Sequence, residues 1–228
     1  MSFLTQVVAW FANPAHWQGP DGIPVRLSEH VLMSLAATAA AALIALPLGV
    51  TLGHLGRGEL LAINLTNVGR AVPSLALLVL LLLVLGLGAA PAFVALVALA
   101  VPPMVTNAYV GMRGVDRGLI DAARGLGMRG HIVLLRVELP NAIPVLMAGV
   151  RTAGVQVVAT ATLAALVAWG GLGRYIVDGL AQLDYPKVFA GALLVAALAA
   201  AAELLLALLQ YALTPAGLRR APTPARQS

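Results

Sequence analysis

The chain contains no cysteine and a single lysine, Lys187. The first absence excludes a disulfide framework and any thiolate metal site. The second excludes a Gly-x-x-x-x-Gly-Lys phosphate loop, so the chain has no route of that kind to ATP hydrolysis. Charge is scarce too: 10% of the 228 residues are Asp, Glu, Lys or Arg, against roughly 25% in an ordinary soluble domain. Histidine occurs only at His16, His30, His54 and His131, with no His-Glu-x-x-His pattern and no serine or acid beside any of them inside an apolar span. Those absences remove the usual signatures of an intramembrane enzyme. A secondary transporter would need internal repeats and several acids within its spans. Only one acid, Glu203, lies deep in a span, and the chain has no convincing repeat.

What is present is apolar. Hydrophobic residues make up 61% of the chain and the mean hydropathy is +0.94, the composition of an integral membrane protein. Five apolar stretches, about 31–53, 71–87, 91–112, 141–168 and 187–213, predict an all-α polytopic fold with five transmembrane helices. Before them, residues 1–30 read as an interfacial segment in which Phe3, Leu4, Val7, Val8, Trp10 and Phe11 share an apolar face. Turns follow at Asn13-Pro14, Gly19-Pro20 and Ile23-Pro24. With no basic residue ahead of this short apolar run, a cleaved leader is not expected. Residues 31–213 form the membrane unit, and 214–228, rich in Pro and Thr, a disordered tail.

The net charge of +5 is a topology signal rather than a nucleic-acid surface. With the 113–140 loop in the cytoplasm, nine arginines fall inside: Arg57, Arg113, Arg117, Arg124, Arg129, Arg136, Arg219, Arg220 and Arg226. Three basic residues, Arg26, Arg174 and Lys187, fall outside, while Arg70 and Arg151 sit at or within spans. That asymmetry puts the N-terminus outside and the C-terminus in the cytoplasm.

The loop 113–140 is the longest charged stretch between spans. Its residues predict a short helix with two bare alanines, a bend at Gly127, a second short helix, and a stop at Pro140 that opens the next helix. The order is Asp121-Ala122-Ala123, three residues, Gly127, nine residues, Val137, one residue, Leu139-Pro140. This resembles the cytoplasmic loop of bacterial ABC importer permeases, whose pattern is Glu-Ala-Ala, three residues, Gly, nine residues, Ile, one residue, Leu-Pro. The spacing matches throughout. Asp stands for Glu and Val for Ile, both with the chemistry kept.

The resemblance covers roughly residues 28–218. Val72-Pro73-Ser74-Leu75-Ala76-Leu77 and the stretch from Asn107 to Asp116 are similar to segments of the branch that imports glycine betaine, choline, carnitine or proline, and Gly170-Gly171-Leu172-Gly173 resembles a segment common to the family. Methionine permeases share the five-span core and supply the alternative solute class. The resemblance implies a type I importer fold and a coupling helix that docks on a separate ATPase dimer, through Asp121, Ala122, Ala123, Gly127, Val137, Leu139 and Pro140. It implies a second permease, identical or a sister chain, an extracytoplasmic solute-binding protein, and a bacterial inner-membrane location within lipid. The chain itself takes no cofactor and no metal; ATP belongs to the ATPase subunit.

Four residues within spans are expected along the pathway. Pro73 and Ser74 leave a carbonyl free beside a hydroxyl, which suits a plain kink or a pathway lining. Arg151 and Glu203 lie at matching depth, each ten residues from the cytoplasmic end of its expected span or about 15 Å. A lone mid-membrane charge costs about 2.5–3.5 kcal/mol, so either the two pair inside the bundle or each is satisfied separately, Arg151 by snorkelling and Glu203 by protonation.

Because the chain lacks native cysteine, its orientation is directly testable. A cysteine at Gly130 should be shielded from impermeant thiol reagents in intact cells, and one at Gly173 should be labelled. The reverse pattern would invert the topology.

Overall fold

The computed structural model describes residues 2–60, 64, 69 and 71–219. Arg70, Arg220 and Arg226, and with them most of the expected tail, lie outside the described residues. The described residues fold into helices only. In order they are α1 (Phe3–Ala12), a 3-10 turn (Pro14–Trp17), α2 (Ile23–Leu55), α3 (Ser74–Leu85), α4 (Ala89–Arg113), α5 (Arg117–Gly125) and α6 (Gly130–Val133). A π turn (Leu134–Glu138), α7 (Leu139–Thr160), a 3-10 segment (Ala161–Val167), α8 (Gly173–Gln182), α9 (Tyr185–Leu213) and α10 (Ala216–Arg219) complete the chain.

Four stretches among the described residues are long and apolar enough to cross a membrane: Ile23–Leu55, Ala89–Arg113, Gly130–Val167 and Tyr185–Leu213. The first begins at Ile23 rather than near residue 31, since Pro24 sits in the first turn of α2, where its missing N–H costs nothing. The remaining expected span, 71–87, is α3. It has 12 residues and reaches about 18 Å at 1.5 Å per residue. Pro73 is its N-cap, and Gly86 ends it at φ +76°.

Small residues bring α2 and α4 into close contact. Ala37, Ala41, Ala45, Gly49 and Gly53 recur every fourth position on α2, so they form one stripe, and all five are buried. A Cβ on Gly49 would stand 2.6 Å from both the Ala108 Cβ and the Val105 carbonyl. The α4–α7 side is built likewise, with Gly149 against the Asn107 Cβ at 2.5 Å. In a membrane, where association gains little from the hydrophobic effect, such seams supply the packing. Helix α4 is thus clasped on two sides, and its buried residues Ala100, Met104 and Val105 form the centre of the main core cluster.

The chain also departs from the expected stop at Pro140. Gly130–Val167 runs as one continuous stretch, and Pro140 sits in the first turn of α7 behind the π turn. Pro140 brings no N–H to the Arg136 carbonyl, so a wider turn there forfeits little. Asn141 helps by donating its Nδ2 to the Val137 carbonyl at 2.7 Å.

At the far end of α7 the Gly170–Gly173 turn is required by space. A Cβ on Gly173 would lie 2.1 Å from the Thr162 carbonyl, and Gly171 holds φ +82°. A cysteine at Gly173 therefore has no room. Ala181, exposed on α8, is the usable labelling position at that end of the bundle.

Gly49→Val should overpack the α2–α4 seam and destabilise by about 1–3 kcal/mol. The melting temperature of the detergent-purified chain should fall by several degrees. Gly125→Ala, where a Cβ meets nothing within 4 Å, should leave it in place.

Candidate functional site

Two regions gather the polar chemistry of the bundle. The first is the loop between α4 and α7. Asp116 caps α5 by accepting from the Gly118 N–H at 2.8 Å. The other end closes as a Schellman motif. Met128 N–H donates to the Ala123 carbonyl at 3.1 Å and Gly127 N–H to the Arg124 carbonyl at 2.9 Å, with Gly127 at φ +80°. Gly127 thus serves as the left-handed cap the spacing implied, and any β-branched residue there would be strained.

The alanine pair divides between two faces. Ala123 is buried beside Ile120, against Met112, Val115 and Val133, whereas Ala122 and Asp121 are exposed. Adjacent helical residues point about 100° apart, so a bare two-alanine knob does not form. The outward apolar face is instead Leu119, Ala122 and Leu126, the last 84% exposed. Val137 and Leu139 turn inward on the same core cluster, and Pro140 is half-buried. They support the loop from beneath.

Sequence reading missed one tie. His54, at the end of α2, places Nδ1 2.5 Å from Glu138 Oε2, and Glu138 is buried inside the π turn. The end of α2 is thereby fastened to the segment that follows α5. Nothing in the spacing of His54 and Glu138, 84 residues apart, announced it.

The second region is an open cavity of about 530 Å³ between α3, α4 and α7, lined by Ser74, Pro102, Pro103, Thr106, Asn107, Thr152, Gln156 and Thr160, with Gly69, Val72 and Leu99. Of the four expected pathway residues only Ser74 lies on it. Pro73 caps α3 beside it. Arg151 and Glu203 do pair, Nε to Oε1 at 2.9 Å. They do so elsewhere, because Arg151 is one residue before Thr152 and so projects about 100° away from the cavity wall. Arg151 Nη1 also donates to Gln210 Oε1 at 3.2 Å, and Gln210 Nε2 donates to the Pro144 carbonyl at 2.9 Å. That carbonyl belongs to a helix-interior proline, and the Arg151–Gln210 group lines its own shallow hollow with Ala207, Tyr211 and Thr214. The missed wall residues carried a readable signal: Thr152, Gln156 and Thr160 recur at every fourth position of an otherwise apolar helix.

At the end of α7 away from α5, the N-terminal segment is locked to the bundle. Glu29 Oε2 accepts from the Gly171 N–H at 2.7 Å and from Arg26 Nη1 at 2.9 Å, and Arg26 also pairs with Asp21. The Tyr175 hydroxyl donates to the Asp21 carbonyl at 2.6 Å, and its burial pushes its pKa up to about 12, so it stays a donor at any physiological pH. Trp10 stacks on His16 at 4.1 Å and meets Tyr175 edge-on at 5.4 Å.

Membrane-length helices around a polar cavity, with an amphipathic helix exposed outside the spans, define a polytopic transport subunit. Residues 33–215 match the family described as the binding-protein-dependent transport system inner membrane component, and the chain belongs to it. It is a permease subunit, not an enzyme, with an all-α type I importer fold, and nucleotide chemistry resides in a separate subunit. The chain is 37% identical to the carnitine transport permease protein OpuCB of Listeria monocytogenes, covering 96% of this chain and 98% of that one. It is 40% identical to the choline transport system permease protein OpuBB of Bacillus subtilis, covering 84% and 88%. Among solved structures, an inward-facing MetNI methionine ABC transporter matches with a TM-score of 0.69 over 82% of this chain and 94% of that chain, at 23% identity. An amino acid ABC transporter solved with histidines matches with a TM-score of 0.67 over 97% and 99%, at 20% identity.

Exchanging the charges tests the Arg151–Glu203 pair. Arg151→Glu or Glu203→Arg alone leaves two like charges facing each other within the membrane and should lower the amount of folded chain severalfold. The double exchange should recover it, read as membrane-extracted monodisperse protein. A double variant no better than the worse single one would dissolve the pairing.

Proposed function

We propose that this chain is one of two permease subunits of an ATP-driven importer for quaternary-amine osmoprotectants, with α5 as the coupling helix. The observation that carries the reading is that α4 and α7, joined by the α5 loop, are also two of the three helices that wall the polar cavity. A push on α5 therefore reaches the cavity through α4 on one side and through α6, the π turn and α7 on the other. The exposed Leu119–Ala122–Leu126 face, outside the spans and rimmed by Arg117, Asp121 and Arg124, has the apolar centre and charged rim of a docking surface. Relatives named for carnitine, choline and glycine betaine transport support the solute class.

In this reading ATP closes the ATPase dimer, each half carries one α5 with it, and α4 and α7 tilt with the loop. The His54–Glu138 tie takes α2 along. A single chain leaves its cavity open, so a second permease, a copy or a sister chain, faces it and completes the route. Solute arrives from an extracytoplasmic binding protein at the end of the bundle where the N-terminal segment is locked. The N-terminus lies outside and the C-terminus, with the coupling loop, in the cytoplasm of a bacterial inner membrane. Leu119, Asp121, Ala122, Leu126 and Gly127 contact the ATPase, while Ala123, Val137, Leu139 and Pro140 hold the loop's shape.

Leu126→Asp puts a carboxylate in the centre of the exposed face, where it leaves the fold intact. Membrane insertion should match the native chain. Uptake of glycine betaine, carnitine and choline by the reconstituted transporter should fall at least about tenfold, the weight of one buried interface anchor. ATP hydrolysis should cease to respond to solute-loaded binding protein. Unchanged uptake would remove α5 from the coupling role.

A further inference from the structure

The cavity wall on α7 contains a row of hydrogen-bonding groups that the bundle does not use. Thr152, Gln156 and Thr160 stand four residues apart, a ladder of about 12 Å along the helix. Thr152 and Gln156 are exposed to the cavity, and neither the Thr152 hydroxyl nor the Gln156 amide is hydrogen-bonded to another described residue. Within a membrane bundle an unsatisfied polar side chain is costly, and such groups sit where they serve a pathway or water. Asn107, from α4 across the same cavity, is oriented by donating its Nδ2 to the Pro103 carbonyl at 2.8 Å. The full charges at this level, Arg151 and Glu203, neutralise each other away from this wall.

We propose that Thr152, Gln156 and Thr160 form a ladder of transient donor sites for the carboxylate of a zwitterionic solute. The inference rests on the importer reading and narrows it. Hydroxyl and amide N–H groups donate to carboxylate oxygens, and bonds to an ionised acceptor are stronger than neutral ones. Neutral donors also hold the anion less tightly than a fixed cation would, so the solute can leave each rung for the next. A quaternary ammonium offers no N–H or lone pair, so it makes no hydrogen bond to such a wall and meets its oxygens only by weaker charge–dipole attraction and dispersion. The ladder therefore acts on glycine betaine and carnitine, which carry a carboxylate, and much less on choline, which carries none.

The test uses the assembled transporter, this chain with its ATPase and binding protein, in proteoliposomes. Initial uptake of glycine betaine and of choline is measured for the native chain, for Thr152→Val, for Gln156→Met and for the double variant. The binding protein is the same throughout, so its own preference cancels in the ratio to native. Melting temperature and ATP hydrolysis stimulated by loaded binding protein report on folding and coupling. The double variant should lower glycine betaine uptake about tenfold, the loss of roughly two donors, with choline changed by less than about twofold. Each single variant should fall between. Equal loss for both solutes, or no change in either, overturns the ladder. If the native transporter moves neither solute, the quaternary-amine reading itself falls and the ladder with it, an outcome the unmutated control identifies by itself.

Discussion

Close approach of helix backbones is the constraint on which the molecule depends. Inside a bilayer there is little hydrophobic gain when one apolar helix meets another, so association rests on dispersion between surfaces that fit. The stripe from Ala37 to Gly53 on α2, and Gly149 on α7, let α4 sit against both neighbours at distances no larger side chain allows. Helix α4 is thereby fixed at the centre, and what is attached to it moves with it. The α5 loop is attached at one end and the cavity wall lies along its middle.

The same packing connects the short exposed helix α5 to the helices that wall the cavity. The Schellman end at Gly127 and the Asp116 cap give α5 a defined shape and direction. The buried pair Ile120 and Ala123 anchors it on the core cluster that also holds Met112 and Ala142, one from α4 and one from α7. The π turn and the His54–Glu138 contact add α2 to the same unit. Force applied to α5 is met by a packed assembly and not by a slack loop.

The treatment of charge follows from the same medium. Arg151 and Glu203 are the charges deepest in the spans, and each satisfies the other, with Gln210 and the Pro144 carbonyl completing the group. The polar groups on the cavity wall are hydroxyls and amides, which cost less in a membrane than full charges. At the other end of α7, Arg26, Glu29 and Asp21 tie the N-terminal segment to the glycine turn, so these charges too are paired with one another.

Composition and spacing alone determined the membrane class, the helical fold, the α5 loop with its glycine cap, and the depth match of Arg151 with Glu203. Each depends on properties that survive in one dimension: total hydropathy, a residue that tolerates positive φ, or a helical rise per residue. Only the tertiary structure decided which face a residue occupies. Ala122 and Ala123 are neighbours in sequence yet one is exposed and one buried, and Thr152 lines the cavity while Arg151 turns from it. The helix turns about 100° per residue, and the rotation of each helix about its axis is set by the small-residue seams it shares with partners distant in sequence. The continuity through Pro140 and the His54–Glu138 contact were settled the same way, by packing between segments that meet only when the bundle closes.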